Sequence, residues 1–125
     1  IEAERLKSMG INYGKGLQLI NILRDLPCDL KQGRCYLPGV DPSDRDAMMA
    51  EAARWRARAR AYLGDGQEYA KSLKFRRTRA ATALPGLVGE STLDLLDHAS
   101  WEELEKGVKV TRRDVYRLTW ESFFV

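Results

Sequence analysis

Residues 18–38 read QLINILRDLPCDLKQGRCYLP, and the fold of the chain turns on how this stretch is read. A helix advances ~100° per residue. With Gln18 at the origin, Asn21 falls at ~−60°, Asp25 at ~−20° and Asp29 at ~+20°. Four polar side chains therefore share an arc of about 80°, while Ile20, Leu23 and Leu26 point elsewhere. Carboxylates four residues apart stand ~5–6 Å apart and repel, a cost that a cation between them removes. An isolated pair at this spacing is ordinarily a solvated helix face. Here Gln18 and Asn21 extend the pair into a hard-oxygen edge, Arg24 adjoins it, and Arg34 follows in a glycine-containing turn. Oxygen donors of this kind suit Mg²⁺, which takes a few carboxylates and completes its shell with phosphates and water.

The flanking sequence is helical. Leu6, Met9, Tyr13, Leu17 and Ile20 follow helical spacing and predict a helix over 2–26. Gly10 and Gly14 either admit a close neighbour or end one helix before the next. Pro27 predicts a kink or break near 23–27, because it lacks an N–H and crowds the carbonyl four residues back. The segment 31–42 is a loop, and Asp41-Pro42 fits a helix start. A helix over 43–63 follows, with Met48, Ala52, Trp55, Ala59 and Tyr62 as its apolar side. Gly64 and Gly66 are expected to loosen the backbone before a further turn or two over 67–73. Pro85, Gly86 and Gly89 are expected to break the helical segment 75–87 from a short helix over 91–98. A connection over 101–109 leads to a last helix, opened by a Thr111/Asp114 capping pattern. No repeat and no strand pattern beyond the valines at 108–110 is present, so the fold class is all-α, a helical bundle.

Composition narrows the function. The 125 residues suffice for a single domain with one core. With 44% apolar and 31% charged residues, the chain has the make-up of a globular protein. No apolar run approaches a membrane span. The net charge of +3 and pI of 9.0 suit an anionic ligand or anionic membrane surface. Cys28, Cys35 and His98 are too few for a structural zinc site. The cysteines read as free packing residues in a reducing, cytoplasmic setting, and His98 as a cation at a helix end. Trp55, Trp101 and Trp120 read as core or interface aromatics. The opening IEAERLKSMG lacks a Met and resembles mid-helix sequence, so the chain is expected to be a piece of something longer.

The quoted stretch resembles the second aspartate-rich motif of the squalene/phytoene synthase family, prenyltransferases of the all-α isoprenoid synthase fold. Gln18, Asn21, Arg24, Asp25, Asp29, Gly33, Arg34, Tyr36 and Pro38 all match its pattern. A weaker similarity runs through 59–73 and 76–96, and TRRDVYRL at the end is similar to the family's closing basic segment. The resemblance implies condensation of two prenyl diphosphates, farnesyl or geranylgeranyl, with Mg²⁺-assisted loss of diphosphate and a cyclopropyl intermediate. NADPH is required only if the product is squalene. Asn21, Asp25 and Asp29 are then the expected metal ligands, with Asp25 and Asp29 catalytic. Gln18, Asn21, Arg24, Arg34, Tyr36 and Arg113 are the expected contacts to diphosphate, with Arg112 beside the last. Two departures stand out. The family sets two aspartate pairs across a cavity, and no second pair precedes Gly10. Trp101 and Glu102 stand where relatives carry a Tyr. The chain is thus expected to supply half a site, as part of a larger isoprenoid synthase domain.

Nine Lys or Arg residues between 54 and 79, opposed only by Asp65 and Glu68, suggest a rival. That rival is a non-catalytic basic helical module binding anionic membrane or a partner helix. The plainer reading is a solvated helix surface. No signature supports nucleic acid, whereas peripheral membrane contact suits lipid-soluble prenyl substrates.

Overall fold

Helical periodicity is realised along the whole chain, with fewer interruptions than its glycines and prolines suggest. A computed structural model describes residues 2–125. The order is α1 (Ala3–Arg24), α2 (Leu26–Lys31), α3 (Arg45–Lys71), α4 (Arg76–His98), α5 (Trp101–Lys106) and α6 (Arg112–Ser122). No strand occurs among the described residues, so the all-α class holds and 108–110 is an irregular connection.

The three long helices form the core. Asn12 of α1 bonds Asp65 of α3, while Gly16 lies against Tyr62 and the Ala59 carbonyl, so α1 and α3 run antiparallel. Gln67 of α3 donates to the Ala83 carbonyl and Arg56 pairs with Asp97, so α4 runs antiparallel to α3. The smaller α6 packs on α4, and α2 packs on α5. Leu26, Met48, Leu63 and Leu93 are the largest fully buried side chains, each contributing about 1.5–3 kcal/mol by leaving water. Leu37 is buried among them and pins the long loop between α2 and α3.

Several expected breaks are absent. Gly64 and Gly66 lie inside α3, which continues to Lys71 instead of ending near 63. The segments 75–87 and 91–98 are one helix, α4, with Pro85 inside it. Both corrections trace to Tyr13 of α1. Its ring lies against the backbone at Gly66, where a Cβ would overlap it. Its hydroxyl donates to the Thr82 carbonyl at 2.6 Å and accepts from the Gly86 N–H at 2.7 Å. An unbroken helix would pair those two groups with each other. The Tyr13 oxygen bridges them at the turn that Pro85 disturbs, so both backbone groups stay paired where the ladder opens inside α4. Gly10 and Gly14 do not end a helix either, and the tight α1–α3 approach occurs at Gly16 instead.

Helix starts differ in detail. The cap of α3 is Asp44, which accepts from the Ala47 N–H at 3.0 Å. Asp41 instead accepts from the Ser43 N–H and hydroxyl, bonds that hold its carboxyl below the usual carboxylate range. Ser100 and Glu103 form a full capping box for α5, a pattern legible as Ser-x-x-Glu in a stretch expected to be mere connection. Thr111 caps α6 as expected, accepting from the Asp114 N–H.

Candidate functional site

The polar edge straddles two helices without losing its alignment. Pro27 occupies the first turn of α2, where its missing N–H is tolerated. The break falls at Asp25 alone. The Asp25 N–H still bonds the Asn21 carbonyl at 3.0 Å, and the Asp29 N–H bonds the Asp25 carbonyl at 2.9 Å. The helical repeat therefore passes through the junction, and Asn21, Asp25 and Asp29 stay one turn apart.

Gln18, Asn21, Asp25 and Asp29 line one cavity of about 190 Å³, together with Ile22 and Tyr36. Tyr36 arrives from the loop after α2 and is half-exposed. Arg24 stands beside this cavity, its Nε donating to the Asp25 carboxylate at 3.2 Å. It also lines a second cavity of about 500 Å³, with Asp25, Cys28, Lys106 and Lys109. Among the described residues the Asp29 carboxylate has no hydrogen-bond or ion-pair partner, and Asp25 has only Arg24. Arg34 follows the end of α2. Gly33 adopts a φ of 74°, its N–H bonds the Leu30 carbonyl at 3.0 Å, and the Arg34 N–H bonds the Asp29 carbonyl at 2.8 Å. This double closure is a Schellman turn, and it ties the backbone of Arg34 to that of Asp29. The Arg34 side chain is exposed. Arg113 is exposed in the first turn of α6, on an element packed against α4, and does not line the cavity.

A larger groove of about 560 Å³ adjoins the polar cavity and shares Gln18 and Ile22 with it. Leu19 of α1 and Trp55 and Tyr62 of α3 supply its apolar wall, with Lys15 and Arg58 at the rim. The Arg58 guanidinium sits 4.8 Å over the Trp55 ring. This groove escaped sequence reasoning. The helical spacing of Trp55 and Tyr62 was visible, but only the α1–α3 packing shows that both face a shared opening.

Two carboxylates and two amides on one wall fit a hard divalent cation that keeps open positions for phosphate oxygens. Among the described residues no group of three or more His, Cys, Asp or Glu side chains is placed to hold a metal ion.

The basic region has mostly internal partners. Arg54 pairs with Glu51, Arg56 and Arg60 with Asp94 and Asp97, and Lys71 with Glu68. Arg79 donates to the Leu73 and Lys74 carbonyls. Hydrogen bonds from Arg60, then Arg56, hold the Asp97 carboxyl below its ordinary range against the opposing effect of partial burial. Two further expectations need correction. Cys28 and Cys35 are exposed free thiols, not packing residues, because α2 and its turn direct both outward. Trp120 is 70% exposed, which excludes the core half of its reading as a core or interface aromatic. No described helix is long and apolar enough to cross a membrane.

The sequence model of the squalene/phytoene synthase family matches residues 2–114, which include the polar edge, the turn after it and the start of α6. No curated protein and no solved structure matches the chain.

Proposed function

The chain belongs to the squalene/phytoene synthase family of prenyltransferase-type enzymes, and from that premise we propose that its polar edge is one wall of a diphosphate site. The reaction is condensation of two prenyl diphosphates, farnesyl or geranylgeranyl, with loss of diphosphate. The observation that carries this reading is that Gln18, Asn21, Asp25, Asp29 and Tyr36 line one cavity that opens beside an apolar groove. A charged head and an apolar tail need that juxtaposition.

Asp25 and Asp29 would hold Mg²⁺ with Asn21 as a neutral oxygen donor. Mg²⁺ bound there would offset the charge of the departing diphosphate. Arg24 holds the Asp25 carboxylate in position through its Nε contact. Arg34, tied to Asp29 by the turn at Gly33, would add positive charge toward the leaving group, and Gln18 and Tyr36 would hydrogen-bond phosphate oxygens. Leu19, Ile22, Trp55 and Tyr62 would exclude water from the allylic cation while the second prenyl double bond attacks it. A second aspartate-rich helix is needed to face this wall.

The test is Mg²⁺-dependent release of diphosphate from farnesyl or geranylgeranyl diphosphate by the full-length protein. Asp25→Ala with Asp29→Ala should lower turnover by at least about 10²-fold while leaving the circular dichroism spectrum helical. Unchanged turnover would remove the metal role from this edge.

A further inference from the structure

We infer that the hydrogen bond between Asn12 and Asp65 is an end stop for a prenyl tail, which selects farnesyl diphosphate over geranylgeranyl diphosphate, one isoprene unit longer. This inference rests on the prenyl-transfer reading and deepens it. Gly14, Lys15, Leu19 and Ile22 line the apolar groove from α1, and Trp55 and Tyr62 line it from α3. Tyr62 lies against Gly16 and marks the far end. Trp55, two turns earlier on the antiparallel helix, lies toward Ile22 at the end shared with the aspartate-lined cavity. One step past Tyr62, the Asn12 amide donates to the Asp65 carboxylate at 2.7 Å. Asn12 stands three residues before Lys15 and Asp65 three after Tyr62, so each shares the groove-lining side of its helix. Their bond runs from α1 to α3 across the line of the groove. The cavity beyond it is lined mainly by polar side chains, Glu4, Lys7, Ser8 and Asn12 with Lys15. Apolar lining therefore stops at the bridge.

The distance suits three isoprene units. A helix rises ~1.5 Å per residue, which puts Gly14 about 16 Å and Asn12 about 20 Å from the level of Asp25. Each isoprene unit adds four carbon–carbon bonds of ~1.5 Å, or about 5 Å of extended chain. A farnesyl tail of about 15 Å starting at Asp25 therefore ends beside Gly14 and Tyr62. A geranylgeranyl tail of about 20 Å would drive its last unit into the bridge. Entry of that unit would separate a part-buried amide and carboxylate and leave both facing hydrocarbon, which is costly. The stop belongs to α1 and α3 themselves, so it does not depend on what else faces the groove.

The test compares kcat/KM for Mg²⁺-dependent diphosphate release from the two substrates by the full-length protein. Farnesyl diphosphate should be favoured by at least about tenfold. Asn12→Ala with Asp65→Ala opens the end and should shift the ratio toward geranylgeranyl diphosphate by at least about tenfold. A Cβ at Gly14 meets no atom within 4 Å, so Gly14→Leu places its side chain in open space at the far end. It should lower use of farnesyl diphosphate by at least about tenfold and favour geranyl diphosphate, one unit shorter. Circular dichroism verifies folding, and Gly14→Leu decides alone if the double variant does not fold. A variant that is merely destabilised loses both substrates alike, and a ratio unmoved by either change would overturn the end stop. So would equal or better use of geranylgeranyl diphosphate by the unaltered protein, with the prenyl-transfer reading left standing. Absence of release from every prenyl diphosphate would overturn that reading and the end stop with it.

Discussion

Tyr13 joins three helices through one side chain. Its ring covers Gly66 of α3, and its hydroxyl stands between the Gly86 N–H and Thr82 carbonyl of α4. Tyr13→Phe keeps the ring but leaves both backbone groups without that partner beside Pro85, so it should cost about 1–3 kcal/mol in urea unfolding. The phenol also gives an alkaline signature. Burial pushes the Tyr13 pKa above its ordinary value of 10.0, partly opposed by the Gly86 hydrogen bond. Above pH 10 the unfolded chain therefore loses this proton while the folded chain keeps it. Stability should fall as pH rises from the ordinary tyrosine value toward the raised folded one. Tyr13→Phe should flatten that alkaline decline, and a decline of equal slope in both proteins would assign it to other groups.

At the scale of the element, the junction of α1 and α2 decides the geometry of the polar edge. Pro27 withholds an N–H from the Leu23 carbonyl, yet the bonds into Asn21 and Asp25 carry the helical repeat across. The proline thus ends one helix by starting the next, which keeps Asp25 and Asp29 in line. The far end of α2 depends on Gly33 in the left-handed region, where a Cβ is disfavoured. Gly33→Ala should cost about 1 kcal/mol, read from the unfolding midpoint. It should also lower diphosphate release by displacing Arg34 from Asp29. Loss of stability with turnover intact would confine Gly33 to a helix-ending role.

Across the whole molecule, close approach of α1, α3 and α4 overrides local propensity. Gly64 and Gly66 sit two residues apart in α3, and propensity alone treats them alike. Gly64 is open on its outer side, whereas a methyl at Gly66 would overlap the Tyr13 ring. Gly64→Ala should therefore stabilise by about 0.5–1 kcal/mol, and Gly66→Ala should destabilise by roughly 1–3 kcal/mol. Thermal unfolding of the two variants should shift in opposite directions, and shifts of the same sign would mean that packing at Gly66 relaxes freely. The sequence by itself determined the all-α class, because apolar residues recur at helical period throughout. It also determined the shared edge of Gln18, Asn21, Asp25 and Asp29, because those positions follow from rotation along one backbone. Tertiary structure alone decided whether Gly66 and Pro85 break helices, since the atoms that settle it belong to Tyr13, more than fifty residues away in the chain. It alone opened the groove between α1 and α3. Periodicity fixes which residues share a face, but which faces meet depends on contacts between segments distant in sequence.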